Sequence, residues 1–188
     1  MTPIAADWRF LEGVPRSGRA LVIGQEVHWL ESAFDVTALP ESGRLPEYGA
    51  FDLVVIADIA TEHSLNRAAE ALAPGGLVVA GIGGPDSERL FGIPARQRFR
   101  GVRAKATRAG LLVHSVHGAL PNPWNPEYLF PLDIGPAGFA FHGFLRSRRP
   151  GLARWLESKP RATHLLAALT TSGALLLLKP SEIAQHGS

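Results

Sequence analysis

The sequence contains no cysteine among its 188 residues. This absence excludes a disulfide framework, a thiolate zinc site and a cysteine nucleophile. It is typical of proteins that work in a reducing compartment, so we expect a cytoplasmic protein. The opening MTPIAADWRF lacks the basic and apolar regions of a secretory signal, and none is expected.

Several motifs of metal and hydrolase chemistry are also missing. The chain has no HExxH pair and no GxSxG elbow. His114 and His117 lie three positions apart in a predicted strand, where they would point to opposite faces and could not share one ion. We therefore predict no metal and no covalent nucleophile, and the sequence leaves the catalytic residues unknown.

Long apolar runs and a strong charge imbalance are absent as well. The net charge is +2, too small to indicate a nucleic-acid partner by itself. The most apolar stretch, HLLAALTTSGALLLLKP at 164–180, is interrupted by Thr170–Gly173. Its two halves are too short to span a bilayer, so we expect no membrane partner.

What the sequence does contain is an alternation of strand and helix patterns. Apolar residues at helical spacing predict three helices. The first has Val27, Leu30 and Phe34 on one face, and the second is capped by Thr61 and has Leu65 and Ala68. The third ends at Gly110, and its apolar face consists of Phe99, Val102, Ala106 and Ala109. Apolar runs predict strands at ALVIG (20–24), DVTAL (35–39), FDLVVIAD (51–58), GLVVAGIGG (76–84), LLVHSVHGALP (111–121) and ALLLLKP (174–180).

Strands separated by helices predict a single α/β domain over residues 1–188, folded as a three-layer sandwich around a mostly parallel sheet. Proline, glycine and aromatic residues without periodicity mark an irregular insertion at about 122–160. Between the second and third predicted strands lie only about a dozen residues, a spacing too short for a helix and a further strand between them.

The order ALVIG, then FDLVVIADI, then AAEALAPGGLVVAGI resembles the class I S-adenosylmethionine (SAM)-dependent methyltransferases. The resemblance extends over about 19–120 and again over 174–180. It implies a Rossmann-like sheet whose last strand, ALLLLKP, is antiparallel. It also implies SAM as the cofactor, bound at the carboxyl ends of the first strands.

The same resemblance assigns cofactor contacts to particular positions. Gly24 matches the first glycine of the loop after the first strand, and Gln25 follows it. Glu26 and His28 stand where the family has further glycines, so the cofactor loop is degenerate. The implied cofactor-binding set is Gly24, Gln25, Glu26, Glu41 (a shifted substitute for the ribose-binding carboxylate), Asp58 and Ile59.

Other positions are candidates for substrate contacts. Asp86 follows the glycine turn GIGGPD, and Trp124 and Tyr128 lie in the proline-rich LPNPWNPEYLFPLD. With His28 they form our substrate-binding set. The alternatives remain open, since Glu26 and His28 suit an ordinary helix start and the aromatic residues suit a cover for the sheet.

The segment ARQRFRGVRAKATRAG contains six cations and no acidic residue. A nucleic acid is not favoured as its partner, because interleaved aromatic residues for base stacking are absent. A solvated helix face is the simpler interpretation. A second group of arginines, at positions 146, 148, 149 and 154, keeps an acidic protein partner in view.

Two functions follow as hypotheses. The first is a SAM-dependent methyltransferase that acts on a small molecule or a carrier-bound intermediate. The second is a non-catalytic relative that keeps the fold as a scaffold and binds a protein partner through its basic and aromatic surfaces. Fold alone does not decide between them.

Overall fold

The computed structural model describes residues 11, 13–25, 27, 30, 33–57, 60–82, 95–120, 123, 128–131, 150–151, 154 and 173–180. These residues form seven strands and two helices. In chain order the elements are β1 (Gly18–Ile23), β2 (Phe34–Leu39), β3 (Phe51–Ile56), α1 (Glu62–Ala71), β4 (Leu72–Ile82), α2 (Ala95–Arg108), β5 (Leu112–Leu120), β6 (Tyr128–Pro131) and β7 (Gly173–Leu178).

All seven strands belong to one sheet with the order β2-β1-β3-β4-β7-β5-β6. The strands β2, β1, β3 and β4 are parallel. The last strand, β7, runs antiparallel between β4 and β5, and β6 runs antiparallel along β5. The predicted mostly parallel sheet with an antiparallel last strand is confirmed.

The central strands are buried on both faces. In β3, Leu53 to Ile56 are at most 1% exposed, as a strand covered on two sides requires. Side chains alternate between two core clusters: Val54 and Ile56 belong to one, and Leu53 and Val55 to the other. α1 and α2 cover the first face, while Val14, Val27 and Leu30 pack against the second.

The helix α1 begins where the sequence predicts. The Thr61 side chain accepts a hydrogen bond from the backbone N–H of Ser64, and the Ser64 hydroxyl accepts one from the N–H of Thr61. This reciprocal arrangement satisfies two N–H groups that have no partner inside a helix. Leu65 and Ala68 then form the buried face of the helix.

A short crossover joins β2 to β3. Residues 40–50 must return from the carboxyl end of β2 to the amino end of β3, which lies beyond β1 in the sheet. Eleven residues leave no room for the helix that usually makes such a connection. The crossover runs instead along α1: Leu45 is buried, and the N–H groups of Gly49 and Ala50 donate to the carbonyls of Glu70 and Ala71.

Three expectations about local structure need correction. Phe34 is the first residue of β2 and not part of a helix face. The described hydrogen bonds before it form only single turns: the Leu30 N–H donates to the Val27 carbonyl, and the Ala33 N–H donates to the Leu30 carbonyl. β4 begins at Leu72, directly after α1, and not at position 76. The proline-rich insertion contains a strand, β6, where no periodicity was visible.

The predicted alternation along β5 is also interrupted. The register with β7 shifts between Val113 and Ser115, so His114 is an extra residue in a bulge and simple alternation does not hold across it. His114 is exposed, whereas His117 is buried with its Nε2 2.9 Å from the Ser115 hydroxyl. Within the described ranges, no group of three or more potential ligands could hold a metal ion.

Two predictions about extent remain predictions: the single domain over 1–188 and the insertion at about 122–160. Most of that insertion lies outside the described residues. Within the part of the chain that the structure describes, no helix has the length and apolar character needed to cross a membrane.

The start of β4 depends on a glycine. Phe51 pairs with Leu72 and Leu53 with Leu77, so a step of five positions in β4 stands opposite a step of two in β3, and the APGG segment bulges out of register. The backbone of Lys179 holds this bulge by bonds to Gly75 and Gly76 of 3.0 Å each. A Cβ on Gly76 would lie 2.9 Å from the Ala73 carbonyl oxygen and 3.1 Å from that of Phe51.

We therefore expect Gly76→Ala to destabilise the protein by about 1–3 kcal/mol, since backbone atoms must move to admit the methyl group. Gly101→Ala is the matched control: this position in α2 is exposed and has nothing within 4 Å of the added carbon. A helical glycine replaced by alanine should gain about 0.5–1 kcal/mol. Urea unfolding measures both changes, and equal stability of the two variants would contradict the account.

Candidate functional site

The sheet has a topological switch point between β1 and β3. From β1 the chain passes to β2 on one side, and it later returns to β3 on the other side. In open α/β sheets, the crevice outside the carboxyl ends of two such strands is where ligands bind. Here the loops that border it begin at Gly24, Pro40 and Ala57.

Gly24 lies directly at this crevice in a left-handed backbone conformation, with φ of 109°. A side chain is strained there, and glycine also leaves room for a close approach to the backbone. The Gly24 N–H donates to the Leu39 carbonyl over 2.9 Å, while the Ala57 N–H donates to the Ile23 carbonyl over 2.8 Å. The ends of β2, β1 and β3 are thereby held in register up to the loops.

Gln25 crosses the switch point. Its side-chain Nε2 donates a 3.1 Å hydrogen bond to the carbonyl oxygen of Ala57, at the end of β3. The bond is partly buried and joins residues 32 positions apart in the chain. Because the amide spans from the loop after β1 to the loop after β3, it lies across the mouth of the crevice.

Glu41 provides a carboxylate at the same edge of the sheet. Its Oε1 accepts a 3.0 Å hydrogen bond from the Thr61 hydroxyl, the residue that caps α1. Glu41 is otherwise exposed. The Glu41 side chain thus lies beside the amino end of α1.

Arg67 holds the loop on which Glu41 lies. Its side chain extends from α1, and the residue is only 6% exposed. Its Nη1 donates to the carbonyl oxygens of Pro40 and Glu41, and its Nη2 donates to that of Gly43. Sequence reasoning missed this residue, since an arginine between buried Leu65 and Ala68 has no pattern that distinguishes it from a solvated one.

An ion pair connects the two helices beside this region. The Arg108 guanidinium lies 2.9 Å from the Glu62 carboxylate, and both side chains are about half exposed at 57% and 53%. The hydrogen bond from Arg108 lowers the pKa of the Glu62 carboxyl, and the positive charge adds to the effect. Glu62 therefore remains ionised in the first turn of α1.

The structure brings together three of the predicted site residues: Gly24, Gln25 and Glu41. Tyr128 lies at the start of β6, five strand positions from β1, which at about 4.8 Å per step is roughly 24 Å away. Its role as a substrate contact stays a prediction. The remaining candidates lie outside the described residues: Glu26, His28, Asp58, Ile59, Asp86 and Trp124.

An open groove of about 540 Å³ occurs at the opposite edge of the sheet. It lies by the end of β7 and the carboxyl ends of the two helices, away from the switch point. Its lining residues are Asn66, Ala69, Glu70, Arg108, Ala109, Gly110, Lys179 and Pro180.

No family model and no curated protein matches the sequence. Solved structures with a similar fold include a phosphoethanolamine N-methyltransferase of Haemonchus contortus in complex with SAM, at 13% identity and a TM-score of 0.45, covering 90% of this chain and 50% of that one. A geranyl diphosphate C-methyltransferase of Streptomyces coelicolor matches at 10% identity and 0.39, covering 89% and 73%. A cyclopropane synthase of Mycobacterium tuberculosis matches at 11% and 0.39, covering 87% and 79%.

These likenesses concern the fold alone, and the chain spans half the length of the Haemonchus enzyme. The predicted Rossmann-like sheet is confirmed by the topology of the strands themselves. The antiparallel direction of β7 is the one that the resemblance implies.

The link between Thr61 and Glu41 can be tested by stability. Thr61→Ala removes the N-cap of α1 and the hydroxyl that bonds the carboxylate, so the free energy of unfolding should fall by about 1 kcal/mol. Thr61→Ser keeps the hydroxyl and is the matched control, with a loss of no more than a few tenths of a kcal/mol. Denaturant unfolding gives both values; an alanine variant as stable as the serine variant would be incompatible with the cap.

Proposed function

We propose that this chain binds SAM at the crevice between β1 and β3 and transfers its methyl group to a small molecule or a carrier-bound intermediate. The observation that supports this function best is the position of Gly24 and Glu41 at the same edge of the sheet. A glycine in a left-handed conformation and an exposed carboxylate stand on neighbouring loops at one switch point.

The chemistry of these two residues suits a nucleoside ligand. Gly24 has no Cβ to keep a ligand away from the backbone. An ionised carboxylate has about four lone-pair positions, of which the Thr61 hydroxyl uses one, so Glu41 retains acceptors for two ribose hydroxyls. Asp58 and Ile59 follow β3 in the chain and complete the proposed cofactor-binding set, together with Gln25 and Glu26.

When bound, SAM supplies an electrophilic methyl group on a sulfonium. The contribution of the protein is chiefly positioning: a nucleophile of the acceptor must be held in line with that methyl group. Such a transfer does not require a strong base, which agrees with the absence of an obvious one in the sequence. We place the acceptor against His28, Asp86, Trp124 and Tyr128.

A second function is favoured by Gln25. Its amide spans the crevice and bonds the Ala57 carbonyl, which is the arrangement expected if a side chain has replaced the cofactor. In that case the protein is a non-catalytic relative of the methyltransferases that acts as a scaffold. Its partner would be an acidic protein surface facing the exposed Arg100 and Arg103 of α2. For either function we propose the cytoplasm as the location.

Titration with S-adenosylhomocysteine, the product of methyl transfer from SAM, tests the first function. We expect the wild-type protein to bind it in the micromolar range by isothermal titration. Glu41→Gln should weaken binding about tenfold, or 1.4 kcal/mol, because the neutral amide loses charge-assisted bonds to the ribose. Glu47→Gln is the matched control, since Glu47 pairs with Arg19 away from the crevice and should leave affinity unchanged.

Gln25→Gly separates the two functions. If Gln25 only borders a working site, the variant should bind S-adenosylhomocysteine as well as the wild-type protein does or slightly better. If its amide obstructs the crevice, the wild-type protein should not bind at millimolar ligand and the variant should gain binding. Silence from both proteins would rule out the proposed SAM site.

A further inference from the structure

The backbone of the crossover between β2 and β3 needs hydrogen-bond partners that the sheet does not supply. Residues 40–50 are too few to form a crossover helix with its own internal hydrogen bonds. The carbonyl groups of such a segment need partners wherever they are shielded from water. Near β3 the N–H groups of Gly49 and Ala50 donate to carbonyls of α1. Near β2 the Gly43 N–H donates to the Pro40 carbonyl, and further contacts to the carbonyls come from a side chain.

That side chain is Arg67. Its guanidinium donates to three carbonyls of the first four crossover residues, Pro40, Glu41 and Gly43. A planar guanidinium carries five donors in a fixed arrangement, so it can fix the path of a loop in a way that a lysine cannot. Burying it at 6% exposure is costly unless those donors are used.

The consequence concerns Glu41. Its main-chain carbonyl is bonded by Arg67, while its side-chain carboxylate is bonded by the Thr61 hydroxyl. Both partners belong to α1 or its cap, so backbone and side chain are fixed from the same helix. A loop residue without these contacts would sample many conformations, and ordering it would reduce ligand affinity.

We propose that Arg67 is a positioning residue that sets the Glu41 carboxylate at the switch point in the orientation needed to accept ribose hydroxyls. Arg67 does not touch the ligand itself; it acts through Glu41. This inference rests on the proposed function, because Glu41 has a ligand only if SAM binds at the crevice. In this arrangement α1 fixes the position of the loop after β2, as a longer crossover would otherwise do.

The experiment compares Arg67→Met, Arg67→Lys, Glu41→Gln and the double variant Arg67→Met/Glu41→Gln. Arg16→Met serves as the control for loss of an arginine, since Arg16 is exposed and precedes β1. Each protein is titrated with S-adenosylhomocysteine and with an analogue that lacks both ribose hydroxyls. Circular dichroism and thermal melting fix a temperature at which every variant is folded. If Arg67→Met does not fold, Arg67→Lys replaces it in every comparison.

We expect Arg67→Met to weaken S-adenosylhomocysteine binding roughly tenfold and to leave the affinity of the analogue unchanged. Arg67→Lys should recover part of the loss. The double variant should bind about as well as Glu41→Gln alone, because two residues that act through one contact are not additive. Arg16→Met should bind like the wild-type protein.

Other outcomes overturn the inference. Unchanged S-adenosylhomocysteine affinity in folded Arg67→Met would show that the arginine only stabilises the fold. Equal losses for both ligands would show a general disturbance of the site and no specific action on Glu41. Additive losses in the double variant would separate the two residues. A wild-type protein that binds neither ligand would defeat the proposed function itself, and the inference with it.

Discussion

Burial of the central strands on both faces is the constraint on which the rest of this structure depends. Leu53 to Ile56 of β3 are shielded from water above and below the sheet. No ligand can reach the middle of such a strand, so polar chemistry is restricted to the strand ends. Because the parallel strands all finish at one edge, their loops meet there. Gly24, Gln25 and Glu41 come together for this reason.

At the same edge, side-chain hydrogen bonds connect the loops to one another and to α1. Gln25 connects the loops after β1 and β3, and Thr61 connects α1 to Glu41. Arg67 holds the crossover from inside the helical layer. A rigid edge favours a ligand that matches it, since little conformational entropy is then lost on binding. It opposes any ligand that needs the Gln25 amide to move.

The two proposed functions assign different roles to the side-chain amide of Gln25. In the proposed cofactor site, Gly24 would give access to the backbone and Glu41 would supply a carboxylate. The Gln25 side chain bonds the Ala57 carbonyl at these strand ends, where the proposed cofactor would bind. The likeness of the fold to methyltransferases does not choose between them, because the same sheet can hold a site or only support a surface.

Several features were determined by the sequence alone. Apolar runs predicted six strands that the structure contains, and the resemblance to the methyltransferases implied the antiparallel direction of ALLLLKP. Thr61 was identified as a cap because threonine is favoured just before the first turn of a helix. The reciprocal bonds with Ser64 were added by the structure. The short spacing before FDLVV predicted that the usual helix and third strand are missing. Local chemistry is sufficient for such features.

Other features were decided only by the tertiary structure. Phe34 fits a helix spacing, but its place opposite Gly18 at the start of β2 depends on strand pairing. The bulge at His114 depends on the register with β7, and the early start of β4 on the bonds to Lys179. Arg67 acquires its role from carbonyls 24 to 27 positions earlier in the chain. Contacts between distant segments form only after the chain has folded, and no local pattern of residue types records them.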